Sequence, residues 1–231
     1  MRQTILLFGA TGDTGREILN QALDAGHYVH MAERSFPDSF GLHKNCTRHE
    51  ADLLEGDLSP LMQDIDCVIS AVGLGRDPQT LASPPPLYTE GALNIVKAMR
   101  ATDVKRLVVI SAAFADPDVS SPAWFRAATA SLKRIFGQMA DMERVLETTE
   151  NIDWTAVRPG WLLDRPNTGD YKVAMNDLPE GTLRTRHGDL ADFMLRCALD
   201  GKYIREKPFI ARAEDTALES PPALIEEFVP W

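Results

Sequence analysis

Residues 4–26, TILLFGATGDTGREILNQALDAG, decide the fold. The apolar run Thr4–Phe8 shows no polar alternation, as expected of a strand buried on both faces. Gly9-Ala10-Thr11-Gly12-Asp13-Thr14-Gly15 follows at once and opens a helix over Thr14–Ala25. Gly26 stands where a left-handed cap needs no Cβ. The glycine spacing has a chemical reason. Gly9 permits a tight turn, and the bare Gly12 lets backbone N–H groups approach a pyrophosphate. Gly15 lets the helix lie close to the strand. The helix N-terminus adds partial positive charge for the same anion. Strand, glycine turn and helix in this order predict a dinucleotide-binding βα unit with GxxGxxG rather than GxGxxG spacing.

The pattern repeats outward. Tyr28–Ala32, Cys67–Val72, Leu107–Ile110 and Trp154–Val157 read as further buried strands, with a weaker one around Thr47–Ala51. Helical periodicity runs over Thr89–Ala101 and, as one long helix, over Trp124–Thr149. Such alternation builds right-handed crossovers and an α/β, Rossmann-like, doubly wound parallel sheet. After residue 160 turn residues multiply, at Asn167–Lys172, Leu178–Gly181 and Pro221-Pro222. There His187–Leu199 reads as an amphipathic helix with Asp189 in its first turn, and Lys207–Ala211 as a last strand. Residues 1–231 are thus expected to form one domain, with residues 161–231 as a small substrate-side cap.

The end of the second strand selects the dinucleotide. An acid there accepts hydrogen bonds from the ribose 2′-OH, whereas an arginine accommodates a 2′-phosphate. Glu33 and Arg34 supply one of each, about 20 residues past the middle glycine. Arg34 forms charge-assisted bonds to phosphate and Ser35 adds a donor, so NADP(H) is preferred with NAD(H) possible.

Composition excludes several alternatives. With 34 acidic against 24 basic side chains the net charge is −10, which discourages nucleic acid or an anionic membrane as primary partner. A hydrophobic share of 44% rules out wholesale disorder. Cys46, Cys67 and Cys197 form no CxxC, so neither a zinc ribbon nor a redox dithiol is indicated, and a cytoplasmic setting is expected. The apolar run ahead of Gly9 is too short for a signal-peptide core or a membrane span. His49-Glu50 does not continue into HExxH, and there is no GxSxG elbow, so metal and hydrolase chemistry have no motif here. Tyr203-Ile204-Arg205-Glu206-Lys207 has Tyr-x-x-x-Lys spacing but follows the sixth strand instead of the fifth. The 124–149 helix contains no tyrosine, which disfavours carbonyl reduction by a tyrosine acid. Lys133, Arg134, Glu143, Arg144 and Glu147 on that helix read as a solvated charged face.

GATGDTG, Asp64-x-Asp-Cys-Val-Ile-Ser-Ala-Val-Gly, EGALNIVKAMRATDVKRLVVISAAF, WTAVRPGWL and HGDLADFMLRC together resemble the atypical short-chain dehydrogenases of the NAD(P)-binding, NmrA-like group. Within it the resemblance is nearest to the NADPH flavin reductase (biliverdin-IXβ reductase) branch and spans roughly residues 4–200. It implies a pyrophosphate cradle of Gly9, Thr11, Gly12, Asp13, Thr14 and Gly15, with Arg34 on the 2′-phosphate. Asp52 and Leu53 would contact adenine, and Ala71, Val72 and Gly73 would lie along the adenine-side ribose. Arg76 would add charge near the phosphates, and Pro159, Gly160 and Trp161 would sit beside the nicotinamide. Two positions depart from the branch. Ser111-Ala112 stands where it carries Thr-Ser, and Trp161 replaces its histidine. Ser111 can still donate a hydrogen bond near the nicotinamide as the catalytic hydroxyl, or else cap strand-end backbone. Phe114, Trp124, Phe125 and Trp161 are candidates for a flat acceptor pocket. The function expected is an NADPH-dependent oxidoreductase passing a hydride to a planar small-molecule acceptor such as a flavin or quinone. The alternatives are an NADP-binding redox sensor without turnover, and a reductase or epimerase acting on a small carbonyl compound. Oligomeric state leaves no mark in the sequence.

Overall fold

The computed structural model describes residues 1–41, 43–75, 77–220 and 222–223. In chain order the elements are β1 (Thr4–Phe8), α1 (Asp13–Asp24), β2 (Tyr28–Glu33), β3 (Cys46–Glu50), β4 (Cys67–Ser70), α2 (Pro78–Ala82), α3 (Leu87–Thr102) and β5 (Arg106–Ile110). They continue as α4 (Ala123–Ala128), α5 (Lys133–Glu147), β6 (Asp153–Pro159), β7 (Trp161–Leu163), β8 (Lys172–Ala174), β9 (Arg184–Arg186), α6 (His187–Asp200) and β10 (Phe209–Ala211). The main sheet has the order β3-β2-β1-β4-β5-β6-β10-β8. Every neighbouring pair in it is parallel except β10 with β8. This is the Rossmann-like order, and it reverses between β1 and β4, so a crevice opens at the C-terminal end of β1.

Strand residues alternate between two cores because successive side chains leave a strand on opposite faces. Leu6, Phe8, Leu107 and Val109 join Ile95 and Met99 of α3 and Met139 and Leu146 of α5. Ile5, Leu7, Val108 and Ile110 join Ile18 and Leu19 of α1 and Leu190 and Met194 of α6. A sheet covered on both faces needs apolar residues at every strand position, which explains the unbroken run in β1. Arg106, at the start of β5, is buried yet donates to the carbonyls of Cys197, Lys202 and Asp153 and to the Thr155 hydroxyl. It ties the lower edge of the sheet to the end of α6.

Two expectations change. The helix foreseen over 124–149 breaks after α4, and α5 restarts at Lys133 following a 3₁₀ turn, Ala130–Leu132. At the break Thr129 bonds back to the Phe125 carbonyl through both its N–H and its hydroxyl, at 3.0 and 2.9 Å. Phe125 anchors α4 in the core, and the turn lets α5 present Ile135, Met139, Met142 and Leu146 inward. The C-terminal segment also divides its duties. α6, β10 and β8 complete the layers and the sheet, while β7 and β9 pair as a separate parallel ribbon. Gly26 caps α1 as foreseen, at φ +81°, with the His27 N–H reaching the Ala22 carbonyl. Of the Pro221-Pro222 turn, Pro221 lies outside the described residues.

Burial pushes the thiols of Cys67 and Cys197 up to about 12. The thiolate is the reactive species, so native protein at neutral pH should keep both thiols unmodified by iodoacetamide and release them on denaturation. Peptide mapping before and after urea checks this, and rapid native labelling of either cysteine would contradict it.

Candidate active site

The crevice at the C-terminal ends of the strands is built first by the glycine turn. Gly9 has φ +82°, and a Cβ there would fall 2.6 Å from the Ala71 carbonyl carbon and 2.7 Å from the Val72 nitrogen. The end of β1 therefore lies directly against the residues that follow β4. A Cβ on Gly15 would fall 1.8 Å from the Gly9 oxygen, so α1 rests on the turn itself. Gly12 differs: its nearest neighbour would be the Gly9 oxygen at 3.5 Å, an ordinary contact. Two glycines serve close packing, and the third leaves the turn bare. Gly12 is the N-cap of α1 and offers no side-chain cap, while Arg16 N–H closes the first helical bond onto the Gly12 carbonyl at 2.8 Å. The N–H groups of a first helical turn have no intrahelical partner. The cradle thus fits a pyrophosphate both in space and in donor chemistry.

At the end of β2 the two competing residues separate. Glu33 turns inward, its Oε1 accepting the Thr11 N–H at 3.0 Å. Burial raises the Glu33 carboxyl above its ordinary range, and the Thr11 and Ala10 amides pull it partly back. Arg34 and Ser35 are exposed beside it. After β3, Asp52 accepts the Leu54 N–H at 2.9 Å, and Leu53 is buried with its carbonyl held by Asn94 Nδ2 at 2.8 Å. Of the residues after β4, Ala71 is buried and Gly73 has open space where a Cβ would stand. Arg76 lies outside the described residues.

Ser111, directly after β5, is buried, and its hydroxyl donates to Glu143 Oε1 at 2.7 Å. Glu143 in turn takes two bonds from Arg158, to Nε at 2.9 Å and to Nη2 at 2.6 Å. Arg158 Nη1 continues to Asp116 at 2.8 Å, and the guanidinium lies over the Phe209 ring. Burial opposes the charge on Asp116, but the Asp118 amide and Arg158 hold its carboxyl below the usual range. Glu143 is therefore no member of a solvated face. It sits on the stripe of Ile135, Met139, Met142 and Leu146, and only an arginine on β6 lets an acid occupy that side of α5. The position of Glu143 in the apolar stripe was the available signal, and charge composition concealed it.

Ala112 is buried next to Ser111. Gly160 donates its N–H to Ile210 O and Thr185 Oγ1, and a Cβ on it would lie 2.5 Å from Leu183 O. Pro159 ends β6, and Trp161 N–H bonds to Leu183 at 2.7 Å, so these three residues are pinned against β9 and β10. The four aromatic candidates cluster: Phe125 contacts Phe114, Trp124 and Trp161 at centroid distances of 4.5, 5.8 and 5.6 Å. Phe125 and Trp161 are buried, and Phe114 and Trp124 are half-buried at the rim. Tyr203 does not join them. It packs on Phe193 of α6, and its carbonyl accepts from Thr155. His187, at the start of α6, escaped sequence reading although its ring meets Thr14 in the glycine turn at 2.6 Å. Among the described residues no helix is long and apolar enough to cross a membrane, and no His/Cys/Asp/Glu group is arranged to hold a metal.

Comparison with known proteins agrees with this geometry. The chain is 29% identical over 217 residues to the UPF0659 protein C216.03 of Schizosaccharomyces pombe, covering 86% of this chain and 85% of that one. A Streptococcus pneumoniae structure described as an NADH-flavin reductase superposes with a TM-score of 0.73 at 22% identity, covering 91% of this chain and 99% of that one. A Veillonella parvula short-chain dehydrogenase/reductase solved in complex with NADP gives 0.73 at 16% identity, covering 93% and 96%. At those identities the two structures speak for the fold. The family model described as NAD(P)H-binding matches residues 9–201, and the chain belongs to that NAD(P)H-binding family.

Proposed function

We propose that the protein is an NADPH-dependent oxidoreductase whose hydride acceptor is a planar molecule such as a flavin or quinone. The carrying observation is the engagement of Ser111. Its proton already bonds Glu143, so the hydroxyl at the end of β5 is held away from use as an acid. A reaction whose acceptor takes its proton from solvent or from its own groups suits such a site, and proximity then supplies most of the rate. Bound nicotinamide supplies the hydride. The chain's part is to hold the dinucleotide at Gly9–Gly15 and to exclude water with the Phe114, Trp124, Phe125 and Trp161 cluster, whose half-buried rim suits a flat ring. The flavin-reductase description of the S. pneumoniae structure supports this acceptor class.

The preference for NADP(H) rests on the divergence of Glu33 and Arg34. Glu33 is engaged by the Thr11 amide, which leaves Arg34 and Ser35 as the exposed donors for a 2′-phosphate. Charge-assisted hydrogen bonds are worth about 1.5–3 kcal/mol, so Arg34→Ala should weaken NADP⁺ by about 10–100-fold and leave NAD⁺ nearly unchanged. Calorimetric titration with both dinucleotides checks this, and equal losses would refute the 2′-phosphate role.

A sensor that binds NADP without turnover is the second reading, favoured by the same Ser111–Glu143 bond. NADPH oxidation followed with riboflavin, FMN and a simple quinone separates the two. Saturable oxidation with one of them supports the enzyme. Tight binding with no oxidation above background for any of them supports the sensor.

A further inference from the structure

The start of α6 meets the start of α1. Thr14 is the second residue of α1, buried, and 2.6 Å separates its Oγ1 from Nδ1 of His187, the first residue of α6. The opposite ring nitrogen, Nε2, lies 3.9 Å from Asp13 Oδ2. One imidazole therefore stands between the hydroxyl and the carboxylate of consecutive residues in the phosphate cradle. We propose that His187 is a positioning residue for the dinucleotide: it aims the Thr14 hydroxyl at the bound pyrophosphate and takes up a proton as the cofactor binds.

The hydrogen-bond inventory carries the proposal. A threonine hydroxyl has one proton and two lone pairs, and a neutral imidazole has one donor and one acceptor nitrogen. A neutral ring with its proton on Nε2, the nitrogen that faces Asp13, leaves Nδ1 as the acceptor toward Thr14. The single Thr14 proton is then directed at His187, away from any ligand. A pyrophosphate at the first turn of α1 brings negative charge beside both groups and favours the doubly protonated ring. Nδ1–H then donates to Thr14 Oγ1, and the Thr14 proton is released to the phosphate. Among the described residues, the charged groups of the neighbouring elements have partners of their own. Asp189, on α6 itself, is fully buried and accepts from Thr168 and Gly169. Arg186, at the end of β9, is held by two bonds to Glu214. Arg165, in the segment over the helix start, donates to the Asp164 carbonyl, and Arg16 of α1 donates to Thr11 O. Gln21, two turns further along α1, donates to the Gly188 carbonyl at 3.0 Å and gives α6 a second tie to that helix.

The inference rests on the family's dinucleotide site and on no particular acceptor. NADP⁺ is titrated calorimetrically into the whole protein at pH 7 in buffers of different ionisation enthalpy, which reads protons taken up per mole bound. Wild type should show uptake, with affinity rising several-fold from pH 8 to pH 6. His187→Asn retains a polar atom near the Nδ1 position without a titratable group. It should keep the fold, lose the uptake and flatten the pH profile. Thr14→Val should weaken binding by about tenfold, the equivalent of one hydrogen bond to a charged group, and remove the uptake as well. Glu33→Gln serves as control, because burial raises the Glu33 carboxyl at the same turn, and the uptake should survive it. Uptake unchanged in His187→Asn, or lost only in Glu33→Gln, would overturn the proposal. No binding of NADP⁺ or NAD⁺ by the wild type would overturn the cofactor site and this inference with it, whereas binding without turnover leaves it standing.

Discussion

Arg158→Ala should lower the unfolding free energy by about 3–5 kcal/mol, the cost of leaving a buried carboxylate without its partner. Arg158 and Glu143 side chains are only 8% and 4% exposed. Removing the guanidinium takes the arginine donor from both Glu143 oxygens and leaves Oε1 with the Ser111 hydroxyl. Against a typical total of about 5–15 kcal/mol, such a loss is readily seen as a lower urea midpoint. Glu143 alone should be less sensitive: Glu143→Gln keeps an acceptor for Ser111 and part of the bonding to Arg158, and Asp116 still holds the other end of the guanidinium. A double change, Arg158→Met with Glu143→Leu, replaces the pair with apolar volume and should recover much of the single-mutant loss. If Arg158→Ala unfolds at the wild-type urea concentration, the pair contributes little and the account of Ser111 as an engaged hydroxyl weakens with it.

The strand–glycine turn–helix unit could be read in advance because each step is local. An unbroken apolar strand, three glycines at fixed spacing and a capped helix follow from short-range chemistry, and they place the crevice before any tertiary contact is known. The fold's strand order follows from right-handed crossovers between such units. Hidden features depend on pairs distant in sequence. Glu143 and Arg158 are 15 residues apart and look like two surface charges until α5 and β6 are laid side by side. Thr14 and His187 are 173 residues apart, and nothing in either neighbourhood announces the other. The break between α4 and α5 was missed for a related reason. Helical periodicity continues through Thr129, and only the burial of Phe125 against Phe114 and Trp161 shows that the two halves answer to different neighbours. Glu33 is an intermediate case. Its place at the end of β2 was legible, but its inward turn onto Thr11 depends on the conformation of the turn itself.

Gly15→Ala tests whether the turn is held by contact or merely permitted by composition. In an exposed helix the change would stabilise the chain by up to about 1 kcal/mol, since alanine is the better helix former. Here the added Cβ would lie 1.8 Å from the Gly9 oxygen, 2.7 Å from the Gly9 carbonyl carbon and 2.8 Å from the Ala10 Cα, all backbone atoms. Gly9 cannot retreat, because it is pressed against Ala71 and Val72. Helix α1 must move instead, against Ile18, Leu19 and Ala22 in the core it shares with α6. Overpacking of this kind costs about 1–3 kcal/mol, so the expected sign is opposite to that from helix propensity. Dinucleotide affinity should fall by more than about 100-fold, because shifting α1 removes its first-turn N–H groups from the cradle and at this level forfeits two or more charge-assisted bonds. Gly12→Ala provides the contrast. Its Cβ meets only an ordinary 3.5 Å contact, so stability should change little while binding is lost through obstruction of the bare turn. Urea unfolding and NADP⁺ titration of the two variants decide the matter. A Gly15→Ala protein more stable than wild type and binding normally would show that α1 does not rest on the turn, and would remove the steric basis assigned to the GxxGxxG spacing.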